Sequence, residues 1–272
     1  MSSIIDGFQP DADKDNANAQ FDLGLRHAKG EGIEKNQAEA VRYYRLAADQ
    51  GHAQAQCNLA VCYAKGEGIE KNQAEAVRYC QLAADQSHAQ AQYNLAVCYA
   101  KGEGIEKNLV EAVRYYRLAA DQGYTQAQFN LSVCYAKGEG IEEDQAEAVR
   151  YYRLAADQGH AQAQAILATR YAKGEGIEKN QAEAVRYCRL AADQGLAEAQ
   201  YSLGMCYLHG FGVEENVEEA VRLYRLASNQ GDELAASMLT KNVKLAIYSF
   251  FSPDNSGEHR KPSGYSCAVN GG

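Results

Sequence analysis

The chain has 272 residues, of which 46% are hydrophobic and 23% are charged, a balance that is typical of folded proteins and excludes a disordered polyampholyte. Its formal net charge of -9 provides no basic surface, so we expect no binding driven by the phosphates of DNA or RNA. The only prolines are Pro10, Pro253 and Pro262, so the intervening chain lacks the strongest helix breaker. The composition therefore favours an all-α protein.

The first predicted element is a flexible N-terminal segment over residues 1–18, which are mostly polar. This segment has neither the basic start nor the apolar stretch of a secretory signal, so we expect a cytoplasmic protein. The longest apolar stretch, residues 245–251, is interrupted by Ser249. It is much shorter than the roughly 18 residues that cross a membrane, so we expect no membrane insertion.

A repeat of 36 residues follows the N-terminal segment, and leucine and valine both recur at this spacing. The leucine series has one more member than the valine series, which predicts six complete repeats and a terminal capping helix. The leucines are Leu23, Leu59, Leu95, Leu131, Leu167, Leu203 and Leu239, and the valines are Val41, Val77, Val113, Val149, Val185 and Val221.

Each repeat is predicted to contain two antiparallel helices, as its second copy illustrates. Apolar residues at helical spacing predict a first helix over residues 53–65, ending at Gly66, where a left-handed cap requires glycine. Asn72 and Glu75 have the spacing of a capping box, in which two side chains satisfy two backbone amides, and they predict the start of a second helix. This second helix is expected over residues 73–86 and ends at Ser87, where most other repeats have glycine.

One such helix pair cannot bury its apolar face alone, so stability must come from stacking the pairs. The predicted fold is an all-α solenoid of stacked antiparallel helix pairs over residues 19–251. Residues 252–272 are polar and rich in Gly and Ser, which predicts a disordered C-terminal tail.

The pattern AxAQxxLAxxYAKGEGIxxNxxEAVRYYRLAADQGHAQAQ resembles the Sel-one-like repeat family, a relative of the tetratricopeptide repeats, over about residues 19–245. The resemblance implies a right-handed superhelix whose first helices line a concave face. It also implies an adaptor or scaffold without catalytic activity. Some bacterial relatives are described as β-lactamase-like, so a hydrolytic enzyme is the competing function.

The sequence offers little support for catalytic or metal-binding residues. His52, His88 and His160 occupy one repeat position, a whole repeat apart, which favours helix caps over a metal site. The eight cysteines follow the repeat and form no CxxC, which predicts reduced, packed thiols. No SxxK motif supports serine acylation. We therefore predict no catalytic residue, no metal ligand and no cofactor.

One repeat position suggests a binding surface on the first helices. In an ideal helix, Cys57 lies roughly 160° from Leu59 and therefore points away from the second helix. Aromatic residues at this position, with lysines at the helix ends, suit a protein or peptide partner, preferably acidic. The predicted contact residues are Phe21, Tyr93, Phe129, Tyr201, Lys65, Lys101 and Lys137.

An alternative is left open for these aromatic rings, which could instead pack against the adjacent first helix. In that case the second-helix surface around Arg114, Arg117 and Arg153 is the next candidate for a partner site. Because the terminal segments are charged and oppose end-to-end stacking, we expect a monomer.

Overall fold

The computed structural model describes residues 16–241, and this range forms thirteen α-helices without a strand. Most of the predicted N-terminal segment, the last ten residues of the predicted solenoid and the predicted tail lie outside the described residues. The helices are α1 (Ala17–Lys29), α2 (Gln37–Asp49), α3 (Ala53–Lys65), α4 (Gln73–Asp85), α5 (Ala89–Lys101), α6 (Leu109–Asp121), α7 (Thr125–Lys137), α8 (Gln145–Asp157), α9 (Ala161–Lys173), α10 (Gln181–Asp193), α11 (Ala197–His209), α12 (Val217–Asn229) and α13 (Glu233–Lys241).

The repeats are tiled as helix pairs, which confirms the all-α solenoid. Odd-numbered helices are the first helices of the repeats, even-numbered helices are the second helices, and α13 is the first helix of the incomplete seventh repeat. Helix α1 begins at Ala17, two residues before the predicted boundary, because the side chain of Asn16 caps it. The right-handed winding stays a prediction from the resemblance.

The predicted capping boxes are only half formed. Asn72 caps α4 by accepting a hydrogen bond from the Glu75 amide at 3.1 Å. However, Glu75 does not return a bond to the Asn72 amide, which donates to the carbonyl of Tyr63 at 2.9 Å. The Glu75 carboxylate is therefore available to Arg78, 2.8 Å away. The prediction of a reciprocal box was wrong because helix α3 supplies the second acceptor.

The described helices fall into two compact units, a larger one with α1–α10 and a smaller one with α11–α13, and the boundary lies between Gln194 and Gly195. In the larger unit each second helix packs against the first helix of its own repeat, and α2, α4, α6 and α8 also pack against the first helix of the next repeat. The repeat leucines Leu59, Leu95, Leu131 and Leu167 are completely buried there. The hydrophobic core of the larger unit therefore lies both between the two helices of a repeat and between neighbouring repeats.

The smaller unit has a core of its own around Leu208, Val221 and Tyr224. The Tyr224 hydroxyl is buried and has no hydrogen-bond partner among the described residues. Met238 stands fourteen residues beyond it, at the spacing at which Asn58 follows Tyr44 in the larger unit. The seventh repeat thus lacks the amide that an internal repeat provides.

A buried glutamine recurs in the first helices of the six complete repeats, and sequence reasoning did not identify its role. Gln56 of α3 donates to the carbonyl of Ala48 at the end of α2, at 3.1 Å. Gln86, at the end of α4, donates to the Gln56 side-chain oxygen at 2.8 Å. The Ala48 carbonyl also accepts from the Gly51 amide at 2.9 Å, so Gln56 adds a further hydrogen bond to it, and the linked side chains help to fix the stacking register. Equivalent side-chain pairs are Gln20–Gln50, Gln92–Gln122, Gln128–Gln158, Gln164–Gln194 and, in the smaller unit, Gln200–Gln230.

Candidate binding surface

The predicted aromatic column is half-buried rather than open. The Phe129 ring stacks on His160, 4.3 Å between centroids, and meets the ring of Tyr152 on its own second helix at 6.0 Å. Phe21 stacks on His52 at 4.6 Å, and the Tyr93 and Tyr124 rings lie 5.2 Å apart. Each ring therefore fills the space beneath the turn that leads to the next repeat.

This geometry corrects the helical projection made from the sequence. The rings of Phe21, Tyr93 and Phe129 contact second-helix tyrosines, so this side of the first helix does not point away from the second helix. Cys57, at the equivalent position, is completely buried. The projection failed because it placed the second helix on the leucine side alone, whereas the second helix of the same repeat also reaches the ring position. In the smaller unit, the Tyr201 ring lies 5.7 Å from that of Tyr224.

The predicted lysines lie exposed at the last residue of each first helix, and each is already paired. The ammonium groups of Lys65, Lys101 and Lys137 lie 3.6, 3.8 and 3.7 Å from glutamate oxygens of the following loops. Exposed pairs of this kind contribute little to stability, and a ligand carboxylate can exchange with them. An acidic partner would therefore have to displace these glutamates.

A line of accessible side chains does run along each first helix, at spacings of four, three and four residues. In α3 it consists of Gln54, Asn58, Val61 and Lys65, which are half-exposed or exposed. We call this line and its equivalents the first-helix strip. Its members in the other internal repeats are Gln90, Asn94, Val97 and Lys101, Gln126, Asn130, Val133 and Lys137, and Gln162, Ile166, Thr169 and Lys173.

Neighbouring side chains hold the amides of the first-helix strip in place. The Asn58 oxygen accepts from Gln54 at 3.1 Å, and the Gln54 oxygen lies 2.8 Å from the ring nitrogen of His88 in the next repeat. Burial raises the pKa of Tyr116 to about 12, and its hydrogen bond with Asn130 opposes this rise. Hydrogen bonds with neighbouring side chains therefore hold the asparagines of the first-helix strip in place. The i, i+4, i+7, i+11 recurrence of non-core residues was the sequence signal that could have revealed the strip.

The histidines at the repeat boundaries are helix caps, as predicted. The Nδ1 atoms of His52, His88 and His160 accept from backbone amides at 3.1, 3.2 and 3.3 Å. Burial lowers the pKa of His88 and His160. Across residues 16–241, no three His, Cys, Asp or Glu side chains converge into a possible metal site.

The cysteines are packing residues. All seven within residues 16–241 are free, and Cys267 lies outside the described range. Burial, as the main cause, raises the pKa of Cys57, Cys62 and Cys134 to about 11. Little reactive thiolate therefore exists at neutral pH in these three side chains.

A buried arginine replaces the repeat cysteine in the fifth repeat. Arg170 is only 9% exposed and donates to the Gln145 oxygen of the preceding repeat at 2.6 Å. Its guanidinium also lies 5.2 Å from the centre of the Tyr152 ring. Gln145 in turn donates to Glu143 at 2.7 Å, so an amide connects the buried cation to an exposed carboxylate.

The residues that form these helix pairs match a family model described as the Sel1 repeat. The six matches cover residues 17–52, 53–88, 89–124, 125–160, 161–196 and 197–232. The chain belongs to the Sel1 repeat family. Sel1 repeat proteins are generally protein-interaction scaffolds. No curated protein matches the chain.

Two of the solved structures that are similar to this Sel1 repeat chain show how far the likeness extends. A Sel1 repeat protein from Oxalobacter formigenes is 37% identical, and the match covers 78% of this chain and 85% of that protein with a TM-score of 0.70. A protective antigen present in uropathogenic Escherichia coli strains, which displays an SLR fold, is 29% identical over 90% of this chain with a TM-score of 0.84. The match covers 55% of that antigen, so this chain spans about half its length. None of the helices within residues 16–241 has the length and apolar character needed to cross a bilayer.

Proposed function

We propose that this Sel1 repeat chain is a non-enzymatic adaptor that binds an extended protein segment along the first-helix strip, on the face that the resemblance predicts to be concave. The observation that carries this proposal is the anchoring of accessible amides such as Asn58. An amide side chain offers both a donor and an acceptor, which suits the backbone of an extended segment. Val61 supplies an apolar contact between the polar positions.

The residues predicted from the sequence would form the walls and rim of this site. The half-buried rings of Phe21, Tyr93, Phe129 and Tyr201 support the turns beside the strip, and their accessible parts would contact a partner. Lys65, Lys101 and Lys137 would bind acidic side chains by exchange with their loop glutamates. We propose that the chain acts as a monomer in the cytoplasm, and the free cysteines support a reducing compartment.

The test is affinity capture with the full chain and two matched variants. The double substitution Asn58→Ala and Asn94→Ala removes two strip amides, whereas Lys71→Ala changes an exposed loop residue. We expect the partner retained by the wild type to be lost with the double variant and kept with Lys71→Ala. Equal capture by all three proteins at unchanged melting temperatures would contradict the strip as the binding site.

The competing hydrolytic function is tested separately. A chromogenic β-lactam, an active-site serine probe and a chelator should reveal neither turnover, nor labelling, nor metal dependence. Turnover that a single substitution abolishes would overturn the adaptor proposal. The raised thiol pKa values and the absence of an SxxK motif in the sequence support the expectation of no covalent catalysis.

A further inference from the structure

A second accessible surface lies on the second helices, away from the first-helix strip. A leucine at the same position of every repeat is 38–40% exposed, although most apolar residues around it are buried. In the larger unit these residues are Leu46, Leu82, Leu118, Leu154 and Leu190. The adaptor function proposed for the strip does not use them.

The first of these leucines borders a cavity of about 310 Å³ between α2 and the loop that follows α3. Val41, Leu46 and Ile69 supply apolar lining, and Arg42, Arg45 and Asp49 supply charged groups. We call this cavity the outer groove. Its size suits one or two side chains of a partner rather than a whole cofactor.

The two arginines of the outer groove differ in their partners. Arg42 is paired with Glu39 at 2.9 Å. Arg45 instead donates to the hydroxyl of Tyr63 in the next repeat at 3.1 Å, and no carboxylate of residues 16–241 lies within 4.0 Å of it. A tyrosine hydroxyl orients the guanidinium without neutralising it, so Arg45 keeps donors for a carboxylate.

The same arrangement recurs at two further junctions of the larger unit. Arg117 donates to Tyr135 at 3.0 Å beside Leu118, and Arg153 donates to Tyr171 at 2.8 Å beside Leu154. The second repeat has Gln81 at this position, beside Leu82. The chain therefore contains its own uncharged version of the site.

We propose that the outer groove and its equivalents bind a partner segment that carries an aliphatic side chain next to a carboxylate. The aliphatic side chain would pack against Leu46 and Ile69, and the carboxylate would pair with Arg45. Asp49 stands one helical turn after Arg45 and also lines the groove, so it would repel a carboxylate that approaches from its side and thereby sets the direction of the segment. Charge complementarity with these arginines, none of which has a carboxylate of residues 16–241 within 4.0 Å, is what selects this partner.

The probe is a labelled ten-residue peptide that alternates glutamate and leucine, with lysine–leucine and glutamate–serine peptides as controls. Binding to the full chain is measured by anisotropy, and leucine methyl NMR signals report the position. We expect only the glutamate–leucine peptide to bind and to shift the methyl signals of Leu46, Leu118 and Leu154, with smaller shifts at Leu82.

Three sets of variants locate the interaction. Replacing Arg45, Arg117 and Arg153 by Gln reproduces the residue of the second repeat, and we expect affinity to fall at least tenfold, with most of it kept when Lys is used instead. The triple change of Leu46, Leu118 and Leu154 to Ser should weaken binding similarly. Gln81→Arg should make the methyl signals of Leu82 respond to the peptide. Melting curves establish that each variant is folded.

Several results would overturn the proposal. They are equal binding of the lysine–leucine peptide, no methyl shifts at millimolar glutamate–leucine peptide, and unchanged affinity in the arginine variant. Self-association in sedimentation that the leucine variant abolishes would instead assign the surface to a second copy of the chain. The strip variant Asn58→Ala with Asn94→Ala should keep peptide binding, so the two proposals fail independently.

Discussion

Each repeat contains two turns, and their glycines have different surroundings. Gly140 lies in the loop between α7 and α8, where an added Cβ would overlap the backbone carbonyl of Leu109 in the preceding repeat. Gly159 lies in the turn between α8 and α9, where nothing lies within 4 Å of an added Cβ. Both have positive φ, 74° and 86°, and the second repeat places Ser87 at φ 62° in the position of Gly159.

This difference shows which of the two turns packs against a neighbouring repeat. The loop inside a repeat lies directly on the second helix of the preceding repeat, so it tolerates no side chain at its second glycine. The turn between repeats requires only a left-handed backbone, which a serine can adopt at some energetic cost. Stacking therefore depends on the internal loop more than on the connection that follows it in the chain.

The largest expected effect is a difference in stability between glycine substitutions in these two turns. Gly140→Ala should lower the free energy of unfolding by about 3 kcal/mol or more, because backbone strain is added to a clash that packed helices cannot relieve. Gly159→Ala should cost only about 1 kcal/mol, since the strain acts alone. Chemical denaturation of both variants measures the difference.

Gly32 provides a control for this prediction. It occupies the same loop position in the first repeat with φ 76°, but nothing lies within 4 Å of an added Cβ. Gly32→Ala should therefore behave like Gly159→Ala. If Gly32→Ala and Gly140→Ala destabilise the protein equally, the overlap with the preceding repeat does not matter and the comparison fails.

A smaller effect is expected beneath the turn between repeats. Phe129→Ala removes a half-buried ring that stacks on His160, and we expect a loss of about 2 kcal/mol, below the range for fully buried phenylalanine. Adding Tyr93→Ala should lower the melting temperature further. Capture of the partner by the fraction that stays folded is measured on the same preparation.

Two outcomes distinguish the roles of this ring. A clear melting loss with unchanged affinity would show that Phe129 supports the turn and does not contact the partner. A nearly unchanged melting temperature with weak capture would contradict the stacking interpretation and restore the ring as a binding anchor of the kind predicted from the sequence.

The histidine caps should make the same turn sensitive to acid. Burial lowers the pKa of His160, so the folded state favours the neutral ring that accepts from Ala163. The cap should be complete above about pH 6.5, the ordinary value for histidine, and should be lost as the pH falls through the lower folded-state pKa. His160→Asn keeps an acceptor that does not titrate, so we expect the loss of stability between pH 7 and pH 5 to be smaller in the variant than in the wild type.

The measurement is a set of denaturation curves across this pH range. Because the asparagine variant also loses the stacking on Phe129, the comparison uses the slope of stability against pH and not its absolute value. Parallel slopes for the wild type and the variant would exclude His160 as the source of acid sensitivity. The double variant with His88→Asn should flatten the slope further.

The smallest expected effect is a gain in stability. Ser87→Gly relieves a left-handed conformation and should raise the free energy of unfolding by about 0.5 to 1 kcal/mol, after the entropy of an added glycine is counted. The reverse change, Gly123→Ser, should have the opposite sign at an equivalent position with φ 81°. A loss of stability in Ser87→Gly would show that the serine side chain has a role that the backbone does not reveal.

The fold could be predicted because the same local sequence signals recur in every complete repeat. Gly66 and Asn72 mark a helix end and a helix start by local backbone chemistry, which depends little on the neighbouring repeats. Six copies of the same signals then agree on the period. The histidine caps were predicted for the same reason.

The candidate surface was harder to predict because burial on a first helix is decided by distant residues. Cys57 and Val61 have similar angles relative to Leu59, yet Cys57 is completely buried and Val61 is half-exposed. Cys57 is covered by the next repeat, where the side-chain nitrogen of Asn94 lies 3.9 Å from its sulfur, and an ideal projection of one helix does not include that neighbour. The outer groove likewise joins residues of two repeats, so no single repeat displays it.

The buried arginine of the fifth repeat has a consequence for how such arrays change during evolution. Arg170 relies on Gln145 of the fourth repeat, but the third repeat has Leu109 at that position. If recombination placed the fifth repeat directly after the third, a cation would be buried against an aliphatic side chain, a costly arrangement. The repeats are alike enough to recombine, yet they are not interchangeable. Deletions and duplications should therefore be tolerated at some junctions and eliminated at this one.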